Sequence, residues 1–300
     1  MIASFLITFR ETLEAVLIIT ILIAYLARIN RRDLHRYVWV GAVAAMAISV
    51  LIGLVVATIH GSFTGVSEKL FEGTASILAT GVLTYMVFWM AKNARRIRGE
   101  IEEKVDIAIT SRYLFGIAAL SFIAVVREGI ETILFLTAIA TSDPKGTVIG
   151  AITGIALVMA LAVLLMKGMY RLDIRRFFKI TSILLIIFAA GLLGYGVHEF
   201  MEAAENSGLN LGILAEAAFN TNPSDITHPL HEKGVVGSVL KTLIGYDGNP
   251  EILRIIVYLA YWTAIGMYLV KTYSIRPGVA HRNLINARRK GKMGLMKKKS

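Results

Sequence analysis

Two short stretches place charge inside the apolar parts of this chain: Arg10-Glu11-Thr12-Leu13-Glu14 and Arg127-Glu128-Gly129-Ile130-Glu131. Both read R-E-x-x-E, with Ile, Leu, Val, Ala and Phe on either side. On a helix the first, second and fifth residues of such a stretch fall within an arc of about 100°. Arg10, Glu11 and Glu14 therefore share one face, and Arg127, Glu128 and Glu131 share another. A charged side chain at bilayer depth costs roughly 2.5–3.5 kcal/mol by insertion scales. Four carboxylates beside two guanidinium groups leave a surplus of two negative charges, and a surplus carboxylate must carry a proton or meet a cation. Oxygen-only ligation suits hard ions such as Fe3+, Mg2+, Ca2+ or Mn2+, and Fe2+ less selectively. The plainer reading is an Arg–Glu pair that pins helices together. It leaves one Glu in each motif unused, and buried ion pairs are often no better than apolar packing for stability.

The elements that must position these groups are membrane helices. A mean hydropathy of +0.65 with 56% hydrophobic residues is not the make-up of a soluble 300-residue chain. Apolar runs of about spanning length, on the order of 20 residues, fall at 3–27, 37–59, 70–91, 113–140, 147–168, 180–198 and 252–273. The expected fold is all-α and polytopic, with seven transmembrane helices. No positive segment precedes the first run, and Arg10, Glu11 and Glu14 interrupt it, so it reads as a retained helix rather than a cleavable signal. Arg127 lies about 14 residues into its run, roughly 21 Å along a helix and near the middle of a span that long. Arg10 is nearer an outer end, with Glu14 a turn deeper.

Charge distribution orients the chain. The formal charge is +11. Basic residues cluster at Arg28/Arg31/Arg32/Arg36, Lys92/Arg95/Arg96/Arg98/Lys104, Arg171/Arg175/Arg176/Lys179 and along the tail from Lys271 to Lys299. The alternate loops hold only Lys69, Lys145, and Lys233 with Lys241. By the positive-inside rule the N-terminus is outside and the C-terminus cytoplasmic, with the basic tail resting on anionic lipid. This pattern accounts for the positive charge without nucleic acid. Cysteine is absent, which removes disulfides, thiolate nucleophiles and soft metal sites from consideration.

The motifs lie 117 positions apart, and Val40-Gly41-Ala42-Val43 is echoed by Ile149-Gly150-Ala151-Ile152 at an offset of 109. Helices one to three thus correspond to four to six. Three crossings is an odd number, so the second copy enters from the opposite side: an inverted repeat with its site near the midplane, plus one extra helix. The expected division is 1–91 and 92–198 for the two repeats, 199–251 for an external acidic loop, 252–273 for the seventh helix and 274–300 for a basic cytoplasmic tail. Within the loop, Leu209–Phe219 and Val235–Ile244 read as short surface helices. In the seventh helix Tyr258, Tyr261, Trp262, Tyr268 and Tyr273 read as interfacial anchors.

Two R-E-x-x-E helices in a seven-helix chain resemble the high-affinity iron permeases of the iron/lead transporter family. The likeness extends to Phe71-Glu72-Gly73, Leu83-Thr84-Tyr85-Met86-Val87-Phe88-Trp89-Met90 and Ile244-Gly245-Tyr246. It implies iron import across a cell membrane, with iron as the carried substrate and no organic cofactor. Glu11, Glu14, Glu128 and Glu131 would be ligands, and Arg10 and Arg127 their charge-balancing partners. It implies an external oxidase or periplasmic iron-handling protein as partner, with lipid around the chain. One departure exists: Thr12 stands where the family usually has Gly. Glu72, at the outer end of the third helix, is a candidate accessory ligand or an interfacial charge. Glu199, Glu202 and Glu205, spaced three apart, resemble the family's external E-x-x-E segments and equally fit a solvated acidic face. His228, His231 and Glu232 are weaker metal candidates. His198 and Tyr195 read as interfacial, and His35 and His60 have no assigned role. Gly191, Gly194 and Gly196 read as close packing positions. Two rivals stand beside iron import. One is a proton-coupled exchanger or cation channel whose glutamates titrate. The other is an intramembrane enzyme with paired carboxylates, for which the chain offers no nucleophile within the membrane.

Overall fold

The computed structural model describes residues 1–93, 96–110, 114–141, 143–166, 174–223, 225, 228–232 and 234–274. Side chains at 97–98, 114, 164–166, 174–178, 235, 242–243 and 272–274 also lie outside the description. Of the residues singled out above, Arg95, Arg171, Lys233 and the tail from 275 fall outside it, as do the side chains of Arg98, Arg175, Arg176 and Tyr273.

Nine helices appear among the described residues: α1 (Ile2–Arg28), α2 (His35–His60), α3 (Val66–Asn93), α4 (Ile97–Thr110), α5 (Leu114–Ala140), α6 (Pro144–Met166), α7 (Ile174–Asn206), α8 (Val235–Ile244) and α9 (Ile252–Ser274). Five carry stretches long and apolar enough to cross a membrane: 32–60, 66–93, 144–163, 179–206 and 252–271. Their outward faces remain apolar, with Val50, Leu54, Ile152 and Met267 each more than 60% exposed. A face of that kind needs lipid rather than water, and the protein is an all-α, multi-pass membrane protein. The remaining long helices, α1 and α5, have 27 residues each. These two carry the charged motifs.

Two compact units divide the chain, Met1–Ile255 and Ile256–Ser300. Within the first, α1 packs on α5 and α6, α2 on α5, and α3 on α5 and α7. Helices α1 and α5 run antiparallel, as their ends reveal. At one end the Met1 ammonium meets Asp143, just past α5, at 3.1 Å, and Ser4 Oγ donates to Gly146 O at 3.2 Å. At the other, Tyr25 OH donates to Asp106 Oδ1 at 2.5 Å and Arg28 pairs with Glu102 at 3.2 Å, both on α4, which leads into α5. Close backbone approach requires small residues. A Cβ on Gly41 would lie 2.2 Å from Ala118 O, and one on Gly150 would lie 2.4 Å from Met1 O. In the second unit, Tyr258 and Tyr261 each meet Trp262 edge to face.

Some elements differ from the sequence reading. α7 continues to Asn206 rather than stopping at 198, so Glu199, Glu202 and Glu205 are helical. The polar connection after α3 forms α4, a helix the hydropathy pattern did not point to. Its Ile101, Val105 and Ala108 join Leu22, Leu26, Leu34 and Ile117 in one apolar cluster. Leu209–Phe219 forms a 3-10 turn at Gly212–Leu214 and an isolated bridge from Ala217 to Glu251 instead of a helix; Gly208 just before it and Gly212 within it adopt positive φ, a conformation that stops a regular helix. α8 forms as expected and folds back along α7. Its terminal Gly245 (φ +70°) sits against Gly191, seven residues before His198 and so about 10 Å along the helix. Gly196 likewise packs on the Gly73 carbonyl, and α7 is unbroken through all three of its glycines.

Candidate metal centre

Arg10 and Glu11 are both 0% exposed. From α1, Arg10 Nη1 donates to Glu11 Oε1 at 2.8 Å, and Nη2 lies 2.8 Å from Glu14 Oε1. The same Nη2 reaches the Met86 sulfur of α3 at 2.9 Å. On α5, Arg127 is 42% exposed at its side chain. Its Nε donates to Glu131 Oε1 at 2.9 Å, and its guanidinium carbon stands 5.1 Å from the centre of the Trp89 ring. Gly129 seats this turn of α5 against α2, where a Cβ would meet Ser49 Oγ at 2.0 Å. The matching Thr12 of α1 is half-buried.

These pairings leave three carboxylates turned toward one another. Glu11, Glu128 and Glu131 each offer an oxygen, all within 4.8 Å of one another. Among the described residues, the Oε2 atoms of all three are buried and find no hydrogen-bond partner. A buried acceptor in that condition is costly unless a proton or cation reaches it. Oxygens on opposite sides of an ion bound at 2.0–2.6 Å stand about 4–5 Å apart, so the spacing fits a hard cation without large movement. Helix geometry produces the match. Glu11 is nine residues from Ile2 and Glu131 nine from Ala140, so antiparallel packing sets both about 14 Å from the helix ends. Glu14 lies outside this trio; its Oε1 forms an ion pair with Arg10 at 2.8 Å but accepts no hydrogen bond among the described residues.

A second group gathers where α3 meets α7. His198, Glu199 and Glu202 bring ligand atoms within 4.8 Å of one another. Lys69 Nζ sits 3.0 Å from Glu199 and 2.8 Å from Glu202. Buried Glu72 accepts from Tyr195 OH at 3.3 Å and lies 3.4 Å from His60 Nε2. His198 Nδ1 meets Glu251 Oε1 at 2.6 Å, and Arg254 pairs with Asp247. His60 and Lys69, given no role from sequence, thus sit beside acids; Lys69 is three positions before Glu72, one turn along the same face. Burial draws the Asp247 carboxyl up, but the Asn249 N–H and the Arg254 guanidinium bring it below its ordinary value. Asp143 is held low by the Gly146 N–H and then by the terminal ammonium. Glu205 is exposed and joins neither group. His228, His231 and Glu232 also join neither group; His228 Nδ1 accepts from the Leu230 N–H instead.

Comparison with known proteins gives a consistent result. The family described as "Iron permease FTR1 family" matches residues 1–275. An uncharacterized protein of Archaeoglobus fulgidus is 42% identical over 273 residues, covering 91% of this chain and 96% of the relative. The ferrous iron permease EfeU of Yersinia pestis is 35% identical over 264 residues, 87% of this chain and 90% of the relative. EfeU of Escherichia coli O6:H1 is 33% identical over 264 residues, with 87% and 92% covered. No solved structure matches the chain. With the family match spanning nearly its whole length, this chain belongs to the iron permease FTR1 family.

Proposed function

We propose that the chain imports iron through a site built by the two R-E-x-x-E helices within the membrane. The observation that carries the reading is the convergence of Glu11, Glu128 and Glu131, each with an unpartnered buried oxygen. Three such atoms ask for positive charge, and an oxygen-only set favours a hard ion. The relatives named ferrous iron permeases direct the choice to iron. Arg10 and Arg127 balance the carboxylates when no ion is bound, and Glu14 holds Arg10 from the other side.

The carrier is an inverted pair of three-helix repeats, α1–α3 and α5–α7, with α9 as the extra crossing and seven crossings in all. Matched contacts support this. Gly41 of α2 meets Ala118 and Phe122 of α5, while Gly150 of α6 meets Met1 and Phe5 of α1. Ala118 and Phe122 lie 117 positions beyond Met1 and Phe5, the offset of the motifs themselves. By the positive-inside rule the start of α1 and the end of α5 face outward. The group of Glu72, His198, Glu199 and Glu202 then lies on the outer side, where it collects iron, with exposed Glu205 beyond it. Rocking of one repeat against the other opens the central carboxylates inward. An external oxidase or periplasmic iron-handling protein delivers the ion, and lipid surrounds the helices.

Uptake of iron into proteoliposomes tests the reading. Glu128→Gln should abolish uptake while insertion and expression stay near wild type. Undiminished uptake would refute the assignment. Proton flux that needs intact glutamates but no iron would favour an exchanger instead.

A further inference from the structure

The two motif arginines are held differently, and α3 touches both. Arg10 is fully buried, with Glu11, Glu14 and the Met86 sulfur around its terminal nitrogens. Among the described residues Arg127 pairs with one carboxylate, Glu131, and its partly exposed guanidinium already stands over the Trp89 ring, 5.1 Å from its centre. Met86 and Trp89 are three positions apart, so one face of α3 serves both arginines. Glu131 is shared as well: its Oε1 accepts from Arg127, while its Oε2 is one of the three unpartnered atoms. Arginine and an arriving cation therefore draw on the same carboxylate from two sides.

Two positive charges on one carboxylate repel, and the less buried one has room to move. An aromatic face attracts a guanidinium without needing an opposite charge. We propose that Trp89 is a positioning residue for transport: it keeps hold of Arg127 when Glu131 lets go of the guanidinium to turn to the ion, while Arg10 stays fixed. Arg127 is then the movable counter-charge of the pair. This inference rests on Glu11, Glu128 and Glu131 being the iron site.

The test uses the full chain in nanodiscs with Trp39→Phe and Trp262→Phe, which leaves Trp89 as the only tryptophan of the three. Fe2+ is added without oxygen, emission is followed, and bound metal is measured separately by equilibrium dialysis. Binding should shift Trp89 emission when Arg127 is present, and the shift should vanish in Arg127→Gln protein at equal occupancy. Trp89→Leu should weaken Fe2+ binding by about tenfold beside Arg127 and by less than about twofold in the Arg127→Gln background, with Trp89→Phe between. Equal weakening in both backgrounds means Trp89 only supports the fold and overturns the proposal. An emission change that persists in Arg127→Gln reports the metal alone and also overturns it. Should Arg127→Gln fail to insert, Arg127→Met removes the charge and keeps an unbranched stem. A Trp89→Leu effect undiminished in that background refutes the proposal. If the parent protein and Glu128→Gln bind iron equally, the underlying site reading falls, and this inference with it.

Discussion

Gly41→Ala is the sharpest probe of how the motif helices are held. A methyl group there would lie 2.2 Å from the carbonyl oxygen of Ala118 and 3.1 Å from the N–H nitrogen of Phe122. Ordinary contact begins near 3.4 Å, and a helix carbonyl cannot swing aside, so α2 and α5 must part by about 1 Å. Overpacking of that kind costs about 1–3 kcal/mol, offset by about 1 kcal/mol from the better helix propensity of Ala. The net loss is about 0–2 kcal/mol. Gly150→Ala meets the corresponding atoms of Met1 and Phe5, but the first turn of α1 can yield, so its loss should be smaller. Gly81, with nothing within 4 Å of an added Cβ, is the control and should gain from Ala. Denaturant titration in detergent micelles measures the series, and iron uptake should fall in the same order because Glu128 lies two turns beyond the contact. A Gly41→Ala protein as stable as Gly81→Ala would refute the packing argument.

Other consequences follow from the same contacts. Glu14→Gln removes a partner of Arg10 rather than a member of the trio, so it should weaken iron affinity about 10–100-fold, the range for outer partners of a metal site; equilibrium dialysis giving a loss as complete as that of Glu128→Gln would return Glu14 to the ligand set. Lys69→Met withdraws the ammonium from Glu199 and Glu202. In Glu128→Gln protein, with the central site disabled, it should raise outer-site affinity for Mn2+ by about tenfold, read by electron paramagnetic resonance. Unchanged Mn2+ binding would rule out Lys69 as the occupant of that site. Asp143 has a lowered folded value, so its contribution is complete above the unfolded value near 3.9 and is lost as pH falls through the folded value. Melting of wild type and Asp143→Asn should therefore differ by a constant amount between pH 5 and 7 and converge only once pH has fallen through the lowered folded value. A gap that varies between pH 5 and 7 would contradict this.

The motif helices were legible in sequence because charge inside an apolar run is rare and a 3.6-residue period puts Arg10, Glu11 and Glu14 on one face. That Glu14 would be taken up by Arg10 while Glu131 stayed in the trio was not legible, since it depends on which rotamers the neighbouring helices allow. Trp89 and Met86 were visible only as part of a family likeness; nothing in their spacing points to the arginines until α3 is set against α1 and α5. α4 was missed because a helix with Glu100, Glu102, Glu103 and Asp106 on one side has little mean hydropathy, and its apolar positions at 101, 105 and 108 make sense only against α1. His60 and Lys69 were passed over for a similar reason: one is the last residue of α2 and the other lies in the first turns of α3, just ahead of the apolar run, and only packing brings them to Glu72 and Glu199.

Metal titration of the purified chain reaches the central proposal most directly. Fe2+, Fe3+ and Mn2+ would be titrated into the intact protein and into the Glu11→Gln/Glu128→Gln/Glu131→Gln variant, with bound ion counted by equilibrium dialysis. The intact protein should hold one tight iron per chain that disappears in the triple variant, while weaker outer binding at Glu199 and Glu202 persists. Tight iron retained at full stoichiometry by the triple variant would contradict it.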